Sequence, residues 1–284
     1  ISNTEILSIK NPLGNTPANL SIVPKTMDMK MTMIDVMYAP SDNLTFMLMA
    51  NYVSKDMKLS SYSPMMGRNL VGHFSTSSSD LSSLTLSGLF DISQTDNSKW
   101  YGEISLKESI GKNDSMAMAL TPMGKRMEMV MPYAMQTGDD SSSLIFGLAN
   151  LRELGEGILL GNQMKRKIVI SEADWSLGDA TELSSWIQYS LSKSISISSR
   201  LKFVETNSLS GKNSLIMAPV QTANPDNYGG KELYLGLGMN VSLNFLPGGK
   251  DTIGIEILKP LDQDKNNLQM KTDYQIIVGY QKSL

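Results

Sequence analysis

The stretch Glu232-Leu-Tyr-Leu-Gly-Leu-Gly-Met-Asn-Val-Ser-Leu-Asn-Phe245 decides the fold. Leu233, Leu235, Leu237, Met239, Val241, Leu243 and Phe245 share one parity, and Glu232, Tyr234, Gly236, Gly238, Asn240, Ser242 and Asn244 the other. Successive side chains of an extended chain point to opposite faces, so a period of two means a strand. A band of roughly ten residues with one apolar face fits a strand tilted across a bilayer.

The rhythm recurs along the chain. Strands are expected near 26–38, 43–58, 81–92, 98–108, 142–151, 156–170, 181–191, 195–206, 231–245, 251–259 and 268–281, with 142–151 the poorest alternation. Short turns at Pro40–Asp42, Thr95–Asn97, Arg152–Gly155, Ser192–Ser194 and Pro247–Lys250 alternate with long links near 59–80, 110–141, 171–180, 207–230 and 260–267. Outer-membrane barrels sort their connections this way, with short turns on the periplasmic side and long loops outside. The first and last of these strands both descend, so one ascending strand is missing from the count. Ile1–Lys10 could supply it, with Asn11–Lys25 as the next external loop, or it lies upstream of Ile1. The expectation is all-β: one antiparallel up-and-down transmembrane β-barrel of about 12 strands over residues 1–284. Residues 1–25 are then its first strand and loop, or the remnant after a missing upstream strand.

Composition agrees with that reading. The chain has 284 residues, a net charge of −3, and no cysteine, which excludes disulfides, thiolate metal sites and cysteine nucleophiles. No run of eighteen apolar residues marks a membrane helix. Nucleic acid is not an expected partner, because no basic stripe is present. Tyr38, Tyr52, Trp100, Tyr189, Phe245, Tyr274 and Tyr280 fall on the outward parity. They form an expected membrane-interface belt, unless they are ordinary packing.

Methionine is the outlier, with 21 residues. Met27, Met29, Met31, Met33 and Met37 share a face, and in the next strand Met47 and Met49 oppose Phe46, Leu48 and Tyr52. The second set makes the better lipid face, so Met47, Met49, Met33 and Met37 are expected inside. Met123, Met127, Met129, Met131 and Met135 lie in the long link 110–141, which is expected to fold inward or over the mouth. A methionine lining is polarisable and apolar. It would suit passage of small apolar or aromatic solutes or, since thioethers prefer Cu(I), a soft-metal conduit. The plain alternative is that methionine fills a narrow interior.

Charges of both signs fall on the inward parity: Glu103, Lys107, Glu182, Arg200, Lys202, Glu232, Glu256, Lys271 and Asp273. Arg or Lys on the lipid face at the midplane costs roughly 2–4 kcal/mol, which favours this face as the lumen. His73, the single histidine, stands among serines, but no spacing supports a catalytic triad. Asp262, Asp264 and Asn266 alternate like the start of a calcium loop, yet Asn267 stands where glycine is needed, so a solvated turn is expected.

The string Val23-Pro-Lys-Thr-Met-Asp-Met-Lys-Met-Thr-Met33, continued by Met37-Tyr-Ala-Pro-Ser-Asp-Asn-Leu-Thr-Phe-Met-Leu-Met49, resembles a methionine-rich family of bacterial outer-membrane β-barrels. That family is described as transporters akin to meta-pathway phenol-degradation channels. Pro132 to Gly138, Ser199-Arg200-Leu201, Gly229-Gly230, Gly236 to Asn240 and Glu256 to Pro260 add weaker matches in the expected order. The resemblance implies an outer-membrane barrel and a methionine-rich strand before Ile1. The chain departs from the pattern at Lys30 and Thr32, where the family tends to place histidine, and at the serine-rich run Ser77-Ser78-Ser79. The loss of histidine weakens the metal reading.

The leading expectation is a non-enzymatic channel in the bacterial outer membrane for small apolar or aromatic solutes, with membrane lipid as its surroundings and no cofactor or bound metal. Its lining would use Met31, Met33, Met37, Met47 and Met49, capped by Met129, Met131 and Met135. Glu103, Arg200, Lys202 and Glu256 would form the opposite wall. The competing expectation is a scaffold barrel with a plugged lumen whose loops bind another envelope protein, and the third is the copper conduit.

Overall fold

Alternation builds this molecule strand by strand. The computed structural model describes residues 2–10, 20–64, 69–243 and 251–282, the first of these segments by its backbone alone. The strands in chain order are β1 (Ser2–Lys10), β2 (Ile22–Ser41), β3 (Leu44–Tyr62), β4 (Leu70–Gln94), β5 (Ser98–Ser109), β6 (Met116–Leu120), β7 (Arg126–Val130), β8 (Ser142–Gly155), β9 (Ile158–Ser171), β10 (Trp175–Ser176), β11 (Ala180–Ser190), β12 (Ile195–Thr206), β13 (Ser210–Gly211), β14 (Gly230–Ser242), β15 (Thr252–Lys265) and β16 (Lys271–Gln281). Twelve of them form a closed antiparallel barrel in the order β1-β16-β15-β14-β12-β11-β9-β8-β5-β4-β3-β2, while β6 pairs with β7 and β10 with β13. β1 closes the ring: Glu5 lies opposite Met31 of β2 and Ile277 of β16. A closed barrel leaves no unpaired edge, which is what a chain in lipid requires.

The outer wall is apolar and uncovered. Val36, Leu48, Leu86, Ile104, Leu237 and Ile257 are all at least half exposed. A soluble protein would bury that much contiguous apolar surface. The fold is that of a bacterial outer-membrane β-barrel.

β2, β3 and β4 run far beyond this apolar band. Past Thr32, Tyr52 and Leu81 their outward positions turn polar: Asp28 and Lys30, Asp56 and Lys58, then Ser75, Ser77 and Ser79, all exposed. The link expected at 59–80 is therefore mostly strand. Its serines stand on a part of the sheet that rises above the membrane, where no lipid imposes an apolar face. A register irregularity near Leu81 switches the parity of β4: Phe74 and Thr76 point inward below it in sequence, and Ser83, Thr85 and Ser87 above it.

Two further expectations are corrected. The turn placed at Arg152–Gly155 falls at Glu156-Gly157, where Gly157 has φ +75°. That left-handed conformation costs glycine no steric clash. Lys271, expected inside, is exposed, because a register shift between the β1 partners of Thr272 and Tyr274 turns Thr272 inward in its place. The turn expected at Pro247–Lys250 and the belt residue Phe245 lie outside the described residues.

Candidate functional site

The long connection between β5 and β8 folds into the barrel as a plug. Its β6–β7 hairpin stands beside the outer end of β4, where Leu120 approaches Gly72. A 3-10 turn, Tyr133–Met135, then packs against β3 and β4. Met131 and Met135 join Met27, Met57, Leu59, Phe74, Ile22, Val220 and Met270 in one buried cluster. Met135 and Met57 are wholly buried there. Polar anchors hold the same segment. Lys55 Nζ donates to the carbonyls of Ala134 (3.0 Å) and Gln136 (2.5 Å), Ser78 Oγ to Met135 O (2.6 Å), and Ser82 Oγ to Thr137 O (2.7 Å). Gly111 and Gly138 pass so closely that a Cβ on Gly138 would lie 2.1 Å from the Gly111 carbonyl oxygen.

A second, aromatic cluster flanks the plug. The Tyr133 ring meets Trp175 edge-on at 4.8 Å and Tyr228 at 6.1 Å. The Tyr133 hydroxyl accepts the Asn213 N–H (3.0 Å), and the Tyr228 hydroxyl donates to Thr222 O (2.7 Å). Burial pushes the Tyr228 phenol up, so it stays neutral.

Between plug and wall lies a cavity of about 250 Å³. Met29 and Met31 of β2, Lys55 of β3, Lys107 of β5, Lys167 of β9, plug residues Tyr133, Ala134 and Gln136 to Asp139, and Trp175 and Tyr228 line it. Burial alone would raise the Asp139 carboxyl. The Leu177 N–H (2.7 Å), Ser109, the Ser141 hydroxyl (2.8 Å) and the charge of Lys167 outweigh it and hold Asp139 below the usual carboxylate range. A larger concavity, about 510 Å³, is elsewhere. It lies on the outer wall around Trp100, Leu148, Met164, Leu183 and Leu201, where acyl chains would pack, so the interior cavity is the candidate site.

Nearer the periplasm the lumen has three unlike walls. Met31, Met33 and Met49 are half-buried on the inward face, Met47 is buried, and Met37 is 46 % exposed near the short-turn end. Met37 stands opposite Met47. On β4 and β5 the wall is hydroxylated: Ser105 Oγ donates to Ser87 Oγ (2.8 Å), and Asn51 Nδ2 to Ser83 Oγ (2.9 Å). From β5 round to β15 the wall is charged. Glu103 pairs with Lys165 (2.9 Å), Lys202 with Glu182 (3.1 Å), and Arg200 with Glu256 (2.7 Å). The structure thus brings Met131 and Met135 together with Met27 and Met57, and leaves Met47 and Met49 lower in the lumen. Met129 is half-buried on β7.

Sequence reasoning missed Lys55 and Lys167, although both stand on inward parities of their strands. It also missed Asp139 and the aromatic cluster, which only the folded-in loops bring together. Tyr38, Tyr52, Trp100, Tyr189, Tyr274 and Tyr280 stand on the outer wall, each at least 38 % exposed. Ser60 Oγ lies 2.9 Å from His73 Nδ1, but Ser60 is wholly buried, which leaves a substrate no approach to that hydroxyl. Among the described residues no His, Asp or Glu cluster could hold a metal ion.

No protein-family model and no curated protein matches the sequence. Solved structures do match the fold. A COG4313 outer-membrane channel from Pseudomonas putida F1 aligns over 98 % of this chain and 93 % of its own, at TM-score 0.57 and 12 % identity. The TodX monoaromatic hydrocarbon channel, in a deltaS2S3 mutant, aligns over 100 % and 89 %, at TM-score 0.52 and 10 % identity.

Proposed function

We propose that the protein is a channel of the bacterial outer membrane that passes small apolar or aromatic solutes, and that residues 1–284 act as one barrel domain. The observation that carries this reading is the asymmetry of the lumen. A methionine strip runs along one side, from Met29 and Met31 in the wall of the cavity that Tyr133, Trp175 and Tyr228 also line to Met47 and Met49. Thioether side chains are flexible and adapt to flat rings. The charges opposite are paired, so the lumen wall carries them without an uncompensated ion. The methionine-rich string shared with the phenol-channel-like family supports the same solute class, as does the fold likeness to a monoaromatic hydrocarbon channel.

Methionine-methyl NMR of the detergent-solubilised protein in the presence of toluene tests this. The Met31, Met47 and Met49 methyls should shift while the exposed Met123 methyl does not. Shifts confined to outer methionines, or none, would refute it. One observation favours a scaffold barrel instead: the plug is sealed to the wall by the Met27–Met57–Met135 cluster. A plug that never opens leaves a barrel whose loops bind another envelope component. The copper-conduit reading has only the thioethers in its support, and it requires Cu(I) binding that falls when Met47 and Met49 become leucine.

A further inference from the structure

Three lysines converge on the cavity under the plug, and one carboxylate answers them. Lys55, Lys107 and Lys167 share its lining with Asp139. Lys55 is engaged by two plug carbonyls, and Lys167 Nζ donates to Leu177 O at 3.2 Å. Asp139 is already tied to the Leu177 N–H and the Ser141 hydroxyl. The Lys107 side chain makes no hydrogen bond or ion pair among the described residues; Asp139 is the opposite charge near it, and Lys167 stands near enough for the two ammonium groups to repel. An enclosed ammonium group without an acceptor is costly, and an anion that supplies one relieves the cost. The same cavity is lined by Tyr133, Trp175 and Tyr228, whose rings pack edge-on against one another and give it an aromatic wall. The volume of about 250 Å³ lies below the range of pockets for drug-sized ligands and suits a single ring.

We propose that this cavity binds a one-ring aromatic carboxylate, with the carboxylate between Lys107 and Lys167 and the ring against the Tyr133–Trp175–Tyr228 cluster. The inference rests on the channel reading above, because the cavity lies between the plug and the barrel wall, and it narrows the solute to an anionic aromatic. A carboxylate accepting from two ammonium groups makes charge-assisted bonds that a neutral isostere of the same shape cannot.

The test is calorimetric titration of the full-length protein in detergent with benzoate and with benzamide, its neutral isostere. Benzoate should bind at least about tenfold more tightly, as expected of one charged hydrogen bond. Lys107→Met and Lys167→Met should each remove that preference, and Lys107→Arg should keep it, with heat-modifiable gel migration showing every variant folded. Equal binding of benzamide, undiminished benzoate binding in both methionine variants, or inorganic phosphate binding as well as benzoate would overturn the proposal. If conductance is blocked by phenol while benzoate shows no preference, this inference fails and the channel stands. A silent barrel that still prefers benzoate fails the channel alone.

Discussion

Arg200 and Glu256 are joined across the lumen wall at 2.7 Å, and the same guanidinium lies 4.8 Å from the Trp186 ring centroid while donating to Ser184 Oγ at 2.9 Å. One side chain of β12 thus ties together β11 and β15 on the inner face. The contact is charge-assisted, partly shielded from water, and flanked by an aromatic face, so it outweighs a surface ion pair. Glu256→Gln should destabilise the barrel by about 1–3 kcal/mol, because it leaves a half-buried guanidinium without its counter-charge. Urea unfolding of the protein in lipid vesicles measures this.

Gly161 faces the Trp186 ring from the neighbouring strand, and a Cβ there would lie 2.1 Å from a ring carbon. Gly161→Val should push the indole off the Arg200 guanidinium, with an overpacking cost of about 1–3 kcal/mol. The tryptophan emission of the variant should shift, since Trp186 would leave its cationic neighbour. An unchanged spectrum would mean that the strand moves instead.

The plug depends on the backbone crossing of Gly111 and Gly138. Gly138→Ala should force the two apart, because the nearest atoms are main chain and cannot rotate away. Conductance should rise relative to the parent, and the 110–141 segment should become more open to protease.

Lys55 pins the plug from the barrel wall through two carbonyls. Lys55→Met keeps the length and removes the donors. Conductance should rise, by less than in Gly138→Ala, because the Met27–Met57–Met135 cluster remains.

Asp139 supplies the pH dependence. Its folded pKa lies below the value of about 3.9 for a free aspartate, so its contribution is present above that value and is lost as the pH falls through the folded pKa. Plug closure should therefore hold from neutral pH down to about pH 4 and weaken below it. Asp139→Asn should show the weakened closure at every pH, as read from open probability.

Much of this architecture was legible in the sequence, because lipid enforces the period of two wherever a strand crosses the bilayer. β12 and β14 show it residue by residue. The outer ends of β2, β3 and β4 were not legible, since above the membrane Ser75, Ser77 and Ser79 face water and the alternation disappears. Arg200 and Glu256 were readable as inward residues by parity, but their pairing depends on the register of β12, β14 and β15. The cavity under the plug was hidden for a different reason: Lys107, Asp139, Trp175 and Tyr228 come from four separate parts of the chain. No local periodicity reports where the long connection 110–141 will fold.

The most direct measurement is single-channel conductance of the purified protein in planar bilayers, with phenol added to one side. The account predicts discrete openings that phenol blocks reversibly. A silent barrel, shown to be folded by heat-modifiable migration, would contradict it and leave the scaffold reading.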